Sequence, residues 1–221
     1  MKPKPWSFSA LDTFKSCPRQ YEAKYVTKSV PEEKSEQMLW GERVHKHFEL
    51  RQLDGTPLPP ELEQHEKYMK KLEALPGVHN VEQKIALNRK LQPTNFFAED
   101  VWFRGIIDYI KVDGACAYVV DYKTGKPHQK FDQLMLFAIH TFALYPGVDL
   151  VHVRFYWTKT EDETRCAYRR DDIGGIWQKF IPDLKQYAQA FKTDTWQPRQ
   201  SGLCNGWCPV KECEFWKPKR K

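Results

Sequence analysis

The spacing of apolar and polar residues divides the chain into alternating helical and extended segments. Apolar residues recur every three to four positions where helices are predicted, and they alternate with polar residues where strands are predicted. The predicted helices cover 7–26 (with a kink at Cys17-Pro18), 36–53, 61–75, 130–144 and 171–191. The predicted strands cover 81–87, 97–112, 115–122 and 150–157. This order predicts a mixed α/β fold in which a central mixed sheet is flanked by helices.

A tight hairpin is predicted within the segment GIIDYIKVDGACAYVVDYKTGK. Asp113-Gly114 is a two-residue turn signal, and strand-like runs flank it on both sides. A turn at these two residues pairs Val112 with Ala115 and places Asp108 opposite Val119. The hairpin therefore brings two acid-containing strands side by side.

Two carboxylates and a lysine of this hairpin are predicted to share one face. Since side chains alternate along a strand, Asp121 is a diagonal neighbour of Asp108, about 7–8 Å away, and Lys123 follows on the same face. Two carboxylates at that separation can hold one divalent ion, and oxygen ligands favour Mg²⁺ or Mn²⁺. The carbonyl of Tyr122 is a further candidate ligand. The alternative is that Asp121 merely ends a strand and Asp108 lies on an exposed edge.

Composition favours a globular protein, since 41% of the residues are hydrophobic and 14% are aromatic. No apolar run approaches the length of a bilayer span, and the first ten residues lack the apolar core of a signal peptide, so we expect a cytoplasmic protein. A net charge of +6 is compatible with a nucleic-acid partner without demonstrating one. Thr124–Lys126 lacks the preceding glycine of a phosphate-binding loop, which predicts no nucleotide cofactor.

Three of the six cysteines, Cys204, Cys208 and Cys213, lie within ten residues of one another. Iron–sulfur and zinc sites both take four thiolates. A metal-free group of packed thiols is the third alternative. Cys116 and Cys166 look like ordinary strand residues.

Several segments, in this order along the chain, resemble the PD-(D/E)XK nuclease superfamily, particularly its RecB-like branch with CRISPR-associated and phage exonucleases. They are WSFSALDTFKSCPRQYEAKYV, GERVHKHFEL, GIID, DYKTGK, FDQLMLFA and LCNGWCPVKEC. The resemblance implies a restriction-endonuclease-like core within one nuclease domain, residues 1–221. The catalytic core would lie within 80–160, and segments 1–35 and 195–221 would form a cysteine-cluster subdomain that joins the chain ends.

The resemblance also assigns roles to individual residues. His45 matches the histidine of a Gly-x-x-x-His motif, and Glu82 matches a glutamate near the start of the family's first core strand. Gln133 matches a Gln-x-x-x-Tyr element, although Phe137 stands at the tyrosine position. The implied catalytic residues are Glu82, Asp108, Asp121, Lys123 and Gln133, and the expected metal ligands are His45, Asp108, Asp121 and Tyr122.

In the resembling exonucleases, one early and three late cysteines hold a [4Fe–4S] cluster. Cys17, Cys204, Cys208 and Cys213 match that layout, although the late spacing departs from the commoner interval of two residues. The resemblance therefore favours iron–sulfur, with zinc as the alternative.

The sequence thus predicts a metal-dependent DNA exonuclease that acts on single-stranded or duplex ends in recombination, DNA-end processing or phage DNA metabolism. A recombination or CRISPR-adaptation protein is a candidate partner. The alternatives are a non-catalytic DNA-end-binding scaffold and a structure-specific endonuclease of the same fold. Tyr156 and Trp157 are candidates for stacking on unpaired bases, with a place in the core as the alternative.

Overall fold

The computed structural model describes residues 1–31 and 33–218, and the chain divides into two compact units. The first unit combines Met1–Glu33 with Trp177–Lys221, and the second spans Lys34–Ile176. A single nuclease domain with a cysteine-containing subdomain stays a prediction, and residues 32 and 219–221 of that subdomain lie outside the described part. None of the helices described is both long and apolar enough to span a membrane.

The second unit is built on a six-stranded mixed sheet with the order β2-β1-β3-β4-β5-β6. The strands are β1 (Val78–Leu87), β2 (Pro93–Thr94), β3 (Phe103–Asp113), β4 (Cys116–Lys123), β5 (Leu150–Trp157) and β6 (Asp162–Arg169). Strands β4 and β5 pair in parallel, and the other neighbours pair antiparallel. A parallel pair needs a long crossover, which the helix at 132–144 provides. The predicted mixed α/β fold with a helix-flanked mixed sheet is confirmed.

Helices cover both faces of this sheet. On one face lie α3 (Glu36–Asp54) and α4 (Glu66–Glu73), and on the other lies α5 (Asp132–Leu144). The core on the first face contains Val44, Phe48, Leu62, Tyr68, Met69, Leu72, Tyr109, Val120, Tyr122 and Tyr156. Since residues alternate along β4, Asp121 points to the opposite face, where Gln133 of α5 contacts it.

The hairpin of β3 and β4 has a different register from the predicted one. Val112 pairs with Ala117, because the turn is formed by Gly114, whose φ is 54°, and the residue after it. The predicted pairing of Asp108 with Val119 is therefore wrong. A shift of two residues preserves the alternation of faces, so Asp108 and Asp121 still lie on neighbouring strands, now at directly opposite positions when the register is extended.

Several element boundaries differ from the prediction. Residues 97–102 form a loop instead of the beginning of a strand, and 60–65 form a 3₁₀-helix that precedes α4. Strands β2 and β6 were not predicted. In β6 the side chains at 162–169 are mostly charged or small, because this strand lies at an exposed edge of the sheet.

The first unit contains α1 (Phe8–Ser16), α2 (Pro18–Tyr21), a π-helical turn (Glu22–Val26) and most of α6 (Ile173–Thr193). Cys17 is extended, with φ of −162°, and Pro18 begins α2, so the predicted kink is a break between two helices. An aromatic core joins the N-terminal helices to α6, and it consists of Phe14, Tyr21, Tyr187, Phe191 and Trp196.

Candidate active site

A histidine and two carboxylates from three elements meet at one point of the second unit. The ligand atoms of His45, Glu82 and Asp108 all lie within 4.8 Å of one another. These residues come from α3, β1 and β3, and His45 Nδ1 lies 3.2 Å from Asp108 Oδ2. One imidazole nitrogen and two carboxylates are donors that suit Mn²⁺ and Mg²⁺.

Helix α3 approaches the end of β4 closely at Gly41, the glycine of the GERVH motif. A Cβ atom at this position would lie 3.2 Å from Thr124 Oγ1, which is tighter than ordinary contact. Gly41 therefore allows α3 to lie beside the segment that follows Lys123. The motif suggested a role for His45, but nothing in the sequence indicated this packing role for the glycine.

Asp108 is buried and held by the backbone of the neighbouring strand. The N–H of Tyr122 donates a hydrogen bond to Asp108 Oδ2 at 2.7 Å. The last regular pair of the hairpin is Tyr109 with Val120, so the carboxylate takes a backbone donor where the ladder stops. The carboxylate is thereby fixed in place instead of being free to rotate.

Glu82 lies at an irregular position in β1. The pairs Val81–Tyr109 and Gln83–Ile107 flank it, while Glu82 itself has a φ of 49° and forms no regular pair with Asp108. A left-handed conformation costs a residue with a side chain about 1–2 kcal/mol. The structure accepts this strain at the point where the Glu82 carboxylate joins His45 and Asp108.

Asp121, Lys123 and Gln133 form a second set of contacts beside the first. Gln133 Nε2 donates to Asp121 Oδ1 at 3.0 Å. Lys123 Nζ lies 2.5 Å from Asp121 Oδ2, yet that buried oxygen has no partner of hydrogen-bonding geometry in the described part of the chain. The ring of Phe155, which sequence reasoning missed, lies 5.1 Å from the same ammonium group. Asp121 is not part of the compact group around His45.

The charges of the site perturb one another. Burial opposes protonation of His45, but the hydrogen bond and charge of Asp108 outweigh it and raise the pKa of His45 to about 9. Burial raises the pKa of Asp121 to about 6, against the opposing effect of Lys123 and with the charge of Asp108 acting in the same sense. Burial and the charge of Asp108 also raise the pKa of Glu82. Such carboxylates are poised for a cation.

The sequence-predicted residues are thus brought together in two adjoining sets, one around Asp108 and one around Asp121. Their roles stay predictions, and so does coordination by the Tyr122 carbonyl. Tyr156 and Trp157 are each only 2% exposed. Tyr156 stacks on Tyr68 at 3.7 Å between ring centroids, so both candidates for base stacking are core residues.

The four cysteines assigned to a cluster line one small cavity in the first unit. Its volume is about 20 Å³, and the residues are Cys17, Cys204, Cys208 and Cys213, all of them free thiols. Backbone N–H groups of Arg199 and Ser201 donate to the sulfurs of Cys17 and Cys204, each at 3.4 Å. Burial raises the pKa of the Cys208 thiol, and the three other thiols act in the same sense.

The placement of these sulfurs does not reproduce a metal site. A tetrahedral zinc site brings its sulfurs to about 3.8 Å from one another, since each Zn–S bond is about 2.3 Å. Among the residues described, no three cysteine sulfurs lie within 4.8 Å of one another. The cavity has room for about one water, so it would have to widen to admit an iron–sulfur cluster. The four thiols are suitable ligands for an iron–sulfur cluster, whereas the cavity between them is too small to hold one.

Comparisons with known proteins identify a matching family and a solved structure of similar fold. The sequence profile of the PD-(D/E)XK nuclease superfamily matches residues 5–213. A crystal structure from Eubacterium rectale, of a protein provisionally assigned as an exonuclease, is similar with a TM-score of 0.54 and 11% identity over 95% of this chain and 86% of that one. The crystal structure of SSO0001 gives a TM-score of 0.49 and 14% identity over 97% and 87%. No curated protein sequence matches the chain.

Proposed function

The chain belongs to the PD-(D/E)XK nuclease superfamily, and on that premise we propose that it is a metal-dependent deoxyribonuclease that removes nucleotides from DNA ends. The observation that carries this proposal is the meeting of His45, Glu82 and Asp108 beside the Asp121–Lys123 pair. A protein that only binds DNA has no need for a histidine and two carboxylates in a partly buried cluster beside a third carboxylate. The RecB-like branch, a phage origin and a recombination or CRISPR-adaptation partner belong to the proposal on the strength of the sequence resemblance.

The donor set fits a hard divalent cation. His45, Glu82 and Asp108 would hold it, and Asp121, which lies opposite Asp108 when the hairpin register is extended, would supply a further carboxylate. A bound Mg²⁺ or Mn²⁺ offsets charge on the phosphate oxygens and favours ionisation of water. Burial, assisted by the charge of Asp108, raises the pKa values of Glu82 and Asp121, and a bound cation would favour their ionised forms.

The other side chains orient the reacting groups. The Lys123 ammonium, held between Asp121 and the Phe155 ring, would position the attacking water and offset charge that develops on the phosphate. Gln133 fixes the orientation of Asp121, and the Tyr122 amide fixes that of Asp108. The geometry therefore supplies a charged pocket with little freedom to rearrange.

The proposal is tested with end-labelled linear and circular DNA, single-stranded and duplex, in Mg²⁺, Mn²⁺ or EDTA. We expect labelled mononucleotides or short products from linear DNA, cleavage only with a metal, and intact circles. Cleavage of circles would instead identify an endonuclease. Tight binding to DNA ends without cleavage in either metal would identify a non-catalytic scaffold and overturn the proposal.

The cysteine site is part of the proposal as a structural [4Fe–4S] cluster that plays no role in hydrolysis. What supports it is the convergence of four free thiols on one cavity, with backbone N–H groups directed at two of the sulfurs. Anaerobically purified protein should be brown and contain about four iron atoms and four sulfides per chain. A colourless protein with stoichiometric zinc would show the alternative, and one without metal would show packed thiols.

A further inference from the structure

An exposed aromatic loop lies at the end of β3 remote from the hairpin turn. Residues 95–102 connect β2 to β3 and carry Phe97, whose side chain is 77% exposed. Phe96 contacts Phe97 edge to face, with ring centroids 5.2 Å apart. The guanidinium of Arg104 lies 5.3 Å from the centre of the Phe96 ring and 5.9 Å from that of Phe97. The loop thus presents an aromatic ring supported by a cation.

The loop is held in this conformation by its own hydrogen bonds. Asn95 Oδ1 accepts from the backbone N–H of Phe97 at 3.1 Å, and the Asn95 carbonyl accepts from Ala98 at 3.0 Å. The Thr94 hydroxyl donates to Asp100 at 2.8 Å across the base of the loop. These hydrogen bonds hold the Phe97 side chain in a solvent-exposed position. Because the ring is already positioned, it loses little conformational entropy when it binds a partner.

The aromatic loop and the candidate active site share one face of β3. Phe103 stacks on His140 of α5, and a Cβ on Gly105 would lie 2.5 Å from the same ring, so these two residues face α5. By alternation, Arg104 points to the other face. Regular alternation ends near Asp108, where β1 and β3 form no regular pair, and the contact of Asp108 with His45 places this carboxylate on the side of α3. Four residues of strand separate Arg104 from Asp108 by about 13 Å.

The surface between these two points is basic and open. Ile106, on the same face, is 39% exposed, and its partner Lys84 on β1 is also exposed. The two cations beside this surface, Lys84 and Arg104, make no ion pair with any residue that the structure describes, and Arg89 and Lys90 follow in the turn after β1. Glu99 and Asp100 of the loop reduce the local charge to +2. Arg104 Nε is also buried without a hydrogen-bond partner in the described part of the chain.

We propose that this surface binds a single-stranded segment of the substrate, with Phe97 stacked on an unpaired base and Arg104 and Lys84 near the phosphates that lead to Asp108. This inference rests on the proposed nuclease function and adds a binding subsite to it. An exposed ring stacks on a base only when a face of that base is uncovered, which is the state of a single strand or a frayed end. The distance of about 13 Å spans about four nucleotides at a helical rise of 3.4 Å, and fewer in an extended strand.

The test compares wild-type protein with Phe97→Ala, Phe97→Trp and the control Val78→Ala, which truncates an exposed apolar side chain at the opposite end of β1. Binding of oligothymidines of two to ten nucleotides is measured in EDTA by fluorescence anisotropy. We expect Phe97→Ala to raise the Kd about 10-fold for the longer strands and to leave the shortest unchanged, with Phe97→Trp restoring affinity. Lys84→Gln should lower the slope of log Kd against log salt by about 1.

An abasic site moved along the longer strand locates the contact. At one position the abasic site should weaken binding by the wild-type protein about as much as Phe97→Ala does. The same abasic site should cause no further loss of affinity in Phe97→Ala. Equal binding of all lengths by Phe97→Ala and wild type, while wild type cleaves DNA, would overturn this inference and leave the nuclease proposal standing. An equal loss on blunt duplex would overturn the role of an unpaired base. A wild-type protein that neither binds nor cleaves DNA would instead refute the proposed function itself.

Discussion

The backbone amide of Tyr122 donates to the carboxylate of Asp108 at 2.7 Å, so one strand of the hairpin fixes the acid of the other. The Tyr122 side chain is 1% exposed and packs edge to face against Phe48 of α3, with 4.8 Å between ring centroids. The core on one face of the sheet therefore determines the position of the amide that holds Asp108. This coupling would keep the proposed metal site precise although its candidate ligands come from separate elements.

Replacing Asp121 with Asn should abolish cleavage and stabilise the metal-free protein. Burial raises the pKa of Asp121 to about 6 from 3.8, so the ionised carboxylate destabilises the folded state at pH 8. The amide removes that charge while preserving the contact with Gln133. Thermal unfolding in EDTA at pH 8 should show a higher Tm for Asp121→Asn, and Asp113→Asn, in the exposed turn, should match wild type. A lower Tm for the Asp121 variant would contradict this account of the pocket.

Gln133 should act as a positioning residue, because its amide donates to Asp121 Oδ1. Gln133→Ala should lower kcat by about 10-fold with little change in KM, which corresponds to about 1.4 kcal/mol of lost transition-state stabilisation. Gln133→Glu should lower kcat further than Gln133→Ala does, since it places a second carboxylate against Asp121. Steady-state cleavage of a labelled single strand gives both constants. An unchanged kcat in both variants would remove Gln133 from the site.

Much of this site was predictable because alternation along a strand survives an error of two residues. The turn was predicted at Asp113-Gly114, whereas the structure turns at Gly114 and Ala115. Moving the turn by one residue shifts the pairing of the two strands by two residues. Since the error is even, Asp108 and Asp121 remained on compatible positions. An error of one residue would have separated them.

Other features could not be read from local pattern. The left-handed conformation of Glu82 has no signal in the sequence, since glycine or asparagine normally marks such positions. Strand β6 lies at an edge and shows no apolar alternation. The exposed Phe97 was included in a predicted strand, because a run of aromatic residues indicates strand whether or not its side chains are buried. In each of these three places tertiary packing, which the local sequence does not encode, determines the conformation.

Two substitutions distinguish the effect of the backbone strain at Glu82 on stability from the effect of its carboxylate on metal binding. Glu82→Gly should relieve the left-handed conformation, with a φ of 49°, and raise the stability of the metal-free protein by up to about 1 kcal/mol. Glu82→Gln keeps the strain and removes the charge. Both variants should lose most of the increase in Tm that Mn²⁺ produces in wild type, because that increase requires the carboxylate. Retention of the full Mn²⁺ effect by Glu82→Gln would exclude Glu82 as a ligand.

His140 should make the stability of the protein depend on pH. Its ring is fully buried against Phe103, neither nitrogen has a side-chain partner in the described part of the chain, and burial lowers the pKa of His140 to about 3. Below pH 6.5 the unfolded chain takes up a proton at this residue while the folded protein does not. The free energy of unfolding should therefore fall as the pH drops below 6.5, by at most about 1.4 kcal/mol per pH unit.

The variant His140→Leu isolates this contribution, because other groups titrate equally in both proteins. Urea unfolding in EDTA between pH 7 and pH 5 should show a smaller loss of stability for His140→Leu than for wild type, whatever the absolute stability of the variant. Equal slopes for wild type and His140→Leu would mean that the folded protein accepts a proton at His140, which requires water or a partner to reach a ring that lies sealed between α5 and β3.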